Sequence, residues 1–204
     1  MVYIFDNIDS LNDDFFEAVK PLLSVQRLTK VNRLRDNLVK RTSIAVYVLL
    51  RLALFETYRI NEAVEFEFGK QNKPKLKDYP HIFFNLSHSK NSAACVVAGN
   101  EVGIDIQKIK QVKTELAKRV LTKDEYSKFL SAAEPNDYFC EIWTVKESYL
   151  KNKGDGITKE LRDISADSID GLKIFKGKDY YCTVCGADVP VKYVRRDDFE
   201  QLLN

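Results

Sequence analysis

The sequence predicts an α+β fold built from two similar halves. Three observations carry this: helical periodicity gives way to short strands, the same succession then repeats, and no segment is low in complexity. With 204 residues and 45% hydrophobic content, the chain can bury a sizeable core. The layout divides into an N-terminal half, 1–101, and a C-terminal half, 102–204, each expected as a small antiparallel sheet packed with helices. The seam between the halves is where a pocket is expected.

The elements follow in order. Residues 11–24 and 41–59 read as helices, the second (RTSIAVYVLLRLALFETYR) apolar on most sides and so the centre of the first core. VEFEF, 64–68, alternates apolar and acidic side chains as a half-buried strand does, and GKQNKPKLKDYP supplies turn chemistry. HIFFNLS is a short strand. SAACVVA and EVGIDIQ flank Gly99-Asn100, a pattern that predicts a hairpin between them. Helices are expected from after Lys108 to about residue 130 and from Asn136 to Lys151, and strands at 172–175, 180–185 and 191–194.

Charge and composition exclude several classes. Lys and Arg number 32 against 30 Asp and Glu, so no overall pull toward nucleic acid or membrane exists. The N-terminus MVYIFDNIDS is acidic where a secretory signal needs basic residues, and no stretch reads as a membrane span, so a cytoplasmic protein is expected. Cys95, Cys140, Cys182 and Cys185 suit that compartment. YYCTVCG reads as a strand, so Cys182 and Cys185 are expected as small reduced residues rather than a metal pair.

Chemistry concentrates in three places. On the strand EVGIDIQ, Asp105 and Gln107 share one face, while Ile104 and Ile106 take the other. On the helix EIWTVKESYLK, Trp143, Glu147 and Lys151 form a stripe, with Lys146 one position aside. If Glu147 faces Asp105 across the seam, three oxygen ligands converge on one ion, and magnesium suits. Taken singly, Glu147 and Lys151 read as a solvated helix pair, Trp143 as core and His88 as a packed or capping residue. The segment 20–41 carries Lys20, Arg27, Lys30, Arg33, Arg35, Lys40 and Arg41 against Asp36 alone. Such a run fits a solvated face, a nucleic-acid footprint or a polyphosphate seat; its lack of any aromatic residue favours a small multiply phosphorylated ligand.

In order, Lys73-Pro74, FNLSHS (84–89), VGIDIQ and WTVKESYLK (143–151) resemble the motifs of the 4'-phosphopantetheinyl transferases of the larger, surfactin-synthetase-activating type. Any one motif alone is weak, whereas the ordered set is specific. The resemblance implies a pseudo-dimer of two α+β halves with the active site between them. It also implies transfer of the 4'-phosphopantetheine arm of coenzyme A to a serine of an acyl or peptidyl carrier protein. Magnesium would be held by Asp105, Glu147 and Gln107. Lys151 would meet the phosphates, making Glu147, Lys151 and Asp105 the catalytic set. Arg41, Lys73, Pro74, Ser87, His88 and Lys146 would contact coenzyme A, with His88 on the 3'-phosphate. Glu125 would orient Lys151 or serve as a first-turn acid favoured by the dipole of its own helix. Gln107 departs from the family's second carboxylate, which weakens magnesium binding. The segment 111–126 would dock the carrier through Lys113, Lys118, Arg119 and Lys123 beside Leu116, Val120 and Leu121, and a monomer is expected. The rival readings are a non-catalytic coenzyme A binding protein and a nucleic-acid module using segment 20–41.

Overall fold

The computed structural model describes residues 1–69, 72–154 and 161–203. The chain opens with a strand that the sequence reading did not anticipate, β1 (Val2–Phe5), buried on both faces. Three helices follow: α1 (Asp13–Val19), α2 (Val25–Arg33) and α3 (Asn37–Tyr58). Asn12, Ser24 and Asp36 start them, each side chain accepting a hydrogen bond from the amide three residues on. Strands β2 (Phe66–Phe68), β3 (Pro74–Leu76), β4 (Phe83–Ser89) and β5 (Ser92–Ala98) complete the first half. Within the predicted loop between β2 and β3, Lys70 and Gln71 lie outside the described residues. The second half contains β6 (Gly103–Lys108), α4 (Thr114–Val120), α5 (Lys123–Ser131), α6 (Pro135–Lys153), β7 (Leu172–Lys176), β8 (Tyr180–Cys185) and β9 (Val191–Tyr193). The fold is therefore mixed α+β, as predicted. No helix among the described residues is long and apolar enough to cross a membrane.

The strands form a four-stranded sheet in the order β4-β5-β1-β9, a three-stranded sheet β6-β8-β7, and the pair β2-β3. β1 runs antiparallel to β5 and parallel to β9. Strand periodicity gives the larger sheet two apolar faces. Tyr3, Phe5, Ala93, Cys95 and Val97 meet α3 in the first core. Val2, Ile4, Ala94 and Val96 face Ile104, Ile106, Cys182 and Val184 of the smaller sheet. α3 packs against the first core from Ile44 to Leu54, and its buried Arg51 donates to the carbonyls of Leu22 at 2.6 Å and Asn61 at 2.7 Å, leaving its Nε without a partner among the described residues.

Two departures from the sequence reading have physical causes. The Gly99-Asn100 hairpin does not form, because both edges of β5 are taken by β4 and β1; β6 pairs with β8 instead. The tight turn falls at Lys90-Asn91, between β4 and β5. The end of the chain also crosses back: β9 pairs with β1, and Phe199 and Leu202 enter the N-terminal core, Phe199 meeting Phe5 edge-on at 5.3 Å. The four cysteines are free and buried, and burial raises their thiol pKa values. Cys182 faces the core between the sheets, while Cys185, three residues on, falls on the opposite face of β8.

α6 is fixed by two features. At Gly103 the backbone approaches so closely that a Cβ would sit 2.0 Å from the Ser148 carbonyl oxygen and 2.4 Å from the Asn152 nitrogen. On its other side, Lys146 is fully buried and donates to Glu125 Oε2 at 2.5 Å, the Val120 carbonyl at 2.8 Å and the Leu161 carbonyl at 3.1 Å. Glu125 also closes the α5 capping box with Thr122 and accepts from the Ala166 amide at 2.8 Å. This corrects two expectations. Lys146 has no hydrogen left for coenzyme A, and Glu125 holds Lys146 rather than Lys151.

Gly103→Ala is expected to cost about 3 kcal/mol, because the atoms in the way are backbone and cannot swing aside. An unchanged denaturation midpoint at unchanged slope would show that α6 lifts freely. Lys146→Met is expected to cost about 3–5 kcal/mol by stranding Glu125, whereas adding Glu125→Leu should restore much of it. A double variant less stable than the single one in the same denaturation series would refute that account.

Candidate active site

The site begins with the alternation of β4. Phe84, Leu86 and His88 point to one side; Phe84 stacks on Phe66 at 5.3 Å, and Leu86 and His88 line a cavity. Asn85, Ser87 and Ser89 point to the other, where each accepts a backbone amide of β6. Ile104 N lies 2.9 Å from Asn85 Oδ1, Ile106 N 3.2 Å from Ser87 Oγ, and Lys108 N 2.9 Å from Ser89 Oγ. The other edge of β6 is paired with β8, so side chains stand where a neighbouring strand would otherwise be. The same hydroxyls aim the β6 side chains: Ser87 donates to Asp105 Oδ1 at 2.8 Å, and Ser89 to Gln107 Oε1 at 3.1 Å.

Helix α6 brings the remaining groups. Lys151 Nζ lies 2.5 Å from Asp105 Oδ1 and 3.1 Å from Ser87 Oγ. Ser87 thus spends its hydrogen on Asp105 and its lone pairs on Lys151 and Ile106, and is fully satisfied. Glu147 is half-buried with no hydrogen-bond or ion-pair partner among the described residues. Burial, and then the charge of Asp105, push its carboxyl above the usual range, with Lys151 opposing. Asp105, Gln107 and Glu147 supply oxygen donors, the set a hard divalent ion takes. No group of three His, Cys, Asp or Glu side chains that could hold a metal ion gathers among the described residues.

Beside this cluster opens a cavity of about 770 Å³ between α2, α3, β2, β3 and β4. Arg27, Lys30, Arg33 and His88 line it with Thr42, Ser43, Phe66, Phe68 and Pro74, and no acidic residue does among the described residues. The Arg27 guanidinium lies over the rings of Tyr47 and Phe66 at 4.9 and 5.3 Å, and burial lowers its pKa. Lys30 is lowered by burial and then by Arg27. His88 keeps an exposed edge, but partial desolvation against the cavity wall and then the charge of Lys151 hold it below the usual histidine range. Three cations and a histidine with no counter-charge make a seat for an anion.

The structure brings Asp105, Lys151 and Ser87 into contact, sets Glu147 near the charges of Asp105 and Lys151, leaves Gln107 beside Ser89 on the same face of β6, and places His88 and Pro74 on the adjoining cavity. Two further residues expected here are engaged elsewhere. Arg41 donates to the Leu11 carbonyl at 2.6 Å, lies over the Phe16 ring and is outside the cavity lining. Lys73 donates to Glu101 Oε2 at 2.6 Å, the Asn152 carbonyl at 3.0 Å and the Val102 carbonyl at 3.3 Å, tying β3 to the end of α6. Arg27, Lys30 and Arg33 belong to the basic segment 20–41, for which the sequence suggests a phosphorylated ligand without assigning these three a place in the site. Their spacing of three, directly after the Ser24 cap, is the signal that places them on one side of α2.

Comparison with known proteins identifies the family. A family model described as the 4'-phosphopantetheinyl transferase superfamily matches residues 101–193. The chain is 33% identical over 168 residues to 4'-phosphopantetheinyl transferase psf-1 of Bacillus pumilus, covering 80% of this chain and 72% of that protein. It is 30% identical over 158 residues to 4'-phosphopantetheinyl transferase Sfp of Bacillus subtilis, covering 76% and 70%. A solved structure, Thermotoga maritima holo-[acyl-carrier-protein] synthase, is similar over 41% of this chain and 60% of its own at TM-score 0.35 and 17% identity, too slight a likeness to bear on the fold. By its relatives, and by the ordered motifs that build the site, this chain belongs to the 4'-phosphopantetheinyl transferase family.

Proposed function

We propose that the protein transfers the 4'-phosphopantetheine arm of coenzyme A to a serine of an acyl or peptidyl carrier protein, releasing 3',5'-ADP. The observation that carries this reading is a cationic cavity, lined by no acid among the described residues, opening beside a carboxylate cluster that already holds a lysine. The cavity suits the nucleotide end of coenzyme A, with Arg27, Lys30 and His88 toward its phosphates. Anion binding would raise His88 back toward its charged form. Family membership supports the transfer itself.

The site is taken to lie at the seam of a pseudo-dimer, 1–101 and 102–204. Support comes from Ser87 of the first half meeting Asp105 and Lys151 of the second. Both sides of the site sit on one chain, which favours a monomer. The four free buried cysteines favour a cytoplasmic setting.

Asp105, Gln107 and Glu147 would hold a magnesium ion, which when bound spreads the charge of the diphosphate. The chain's own groups do the rest. Lys151 meets the diphosphate and stabilises the charge that develops on the departing oxygen. The carrier serine oxygen bonds to the β-phosphorus as the bond to the bridging oxygen breaks. Glu147, its basicity raised by burial, accepts the serine proton. The carrier would dock on α4 and α5, where Lys113, Lys118, Arg119 and Lys123 surround Leu116, which is 36% exposed. Val120 and Leu121, expected on that rim, are core residues.

The test mixes protein, coenzyme A, magnesium and an apo carrier, then weighs the carrier. One added phosphopantetheine moiety is expected, with Asp105→Ala and Glu147→Ala lowering the rate at least about 100-fold in folded protein. Binding of coenzyme A without any transfer would replace this reading with a non-catalytic one. Gln107→Glu is expected to lower the magnesium concentration for half activity several-fold; an unchanged or higher requirement would remove residue 107 from the metal.

A further inference from the structure

Resting on that reading of the site, we propose that Lys151 is a resident counter-ion of the metal site. It neutralises Asp105 in the free protein and moves to the diphosphate when substrate arrives, so the divalent ion and the diphosphate bind cooperatively and the ion alone binds weakly.

Asp105 is 7% exposed, and the ammonium of Lys151 sits 2.5 Å from its Oδ1, the oxygen that also accepts from Ser87. A divalent ion must compete with that ammonium for the same carboxylate. Position 107 sharpens the competition. Two carboxylates and one ammonium leave a single net negative charge among Asp105, Glu147 and Lys151. Gln107 adds dipole but no charge, and its oxygen already accepts from Ser89. An ion entering alone would leave the pocket net positive, with a displaced ammonium close by. A diphosphate changes both terms. It supplies the negative charge that the ion lacks and an acceptor for the ammonium. The cationic cavity next door anchors the ligand's phosphates without adding, among the described residues, any carboxylate that could hold the ion. By linkage, the ion must then tighten coenzyme A by the same factor by which coenzyme A tightens the ion.

The experiment measures manganese(II) binding by electron paramagnetic resonance, with and without saturating coenzyme A, corrected for the complex of manganese with free coenzyme A. Wild type and Lys151→Met are compared, with circular dichroism as the check on folding and Lys151→Gln as a second charge-removing variant should the first fail to fold. Wild type is expected to bind manganese about tenfold or more tightly when coenzyme A is present. Removing the ammonium should tighten manganese binding in its absence by about tenfold and bring the coupling toward unity. A variant that binds manganese no more tightly than wild type without coenzyme A overturns the proposal. So does a wild type that transfers phosphopantetheine yet binds manganese equally well with and without coenzyme A. If wild type neither binds manganese with coenzyme A nor transfers the arm, the reading of the site itself has failed.

Discussion

Three amide hydrogens of β6, bonded to side chains instead of to a strand, hold the site in register. Asn85, Ser87 and Ser89 together do what a neighbouring backbone would do. Each such bond contributes only about 1 kcal/mol net, but an amide left unpaired in a buried strand costs about 1–3 kcal/mol. The greater consequence is geometric. Side-chain orientation in a strand has period two, so a slip of one residue would turn Asp105 into the apolar core between the sheets and bring Ile104 or Ile106 to α6. The polar ladder forbids that slip. It also explains why the motif alternates as it does: the polar residues face β6, and Phe84, Leu86 and His88 serve the cavity side.

From this constraint the electrostatics follow. Ser87 orients Asp105, Asp105 draws Lys151, and the half-buried Glu147 remains without a close cation of its own. On the far side of β4 the sign reverses, with Arg27, Lys30 and Arg33 around a cavity that no carboxylate among the described residues lines. A ligand carrying a diphosphate and a further phosphate can satisfy both regions at once, whereas a simple anion or a simple cation satisfies only one. One strand with two chemically opposite faces is therefore the partition between the anion seat and the oxygen cluster.

Much of this was legible. The long apolar helix, the motif strands and the Trp143 helix were readable from period, and Asp105, Gln107, Glu147 and Lys151 from period plus residue type. What escaped depends on tertiary pairing. β1 is only four residues long and gains its place by lying between β5 and β9, far away in the chain. The Gly99-Asn100 signal is a good local turn overruled by the prior occupation of both edges of β5. Arg41 and Lys73 have the right type for phosphate, yet nearby carbonyls and carboxylates engage them first. No local pattern reports which acceptor a long flexible side chain will reach.

The two lysines of the α6 motif show the limit of residue type most clearly. Lys146 and Lys151 are five positions apart, which on an α-helix separates them by about 140° around the axis. One is therefore committed to the helical core side when the other faces the sheet and the site. A lysine with no exposed surface is costly to bury unless each hydrogen is used, and all three are, on acceptors from α4, α5 and the segment beginning at Leu161. That node fixes the rotation of α6 about its own axis from behind, while Gly103 fixes its distance from β6 in front. Glu147 and Lys151 inherit their positions from both. Lys146 thus shapes the site without touching it, and a substitution there should move the chemistry through the angle of a helix rather than through a lost contact.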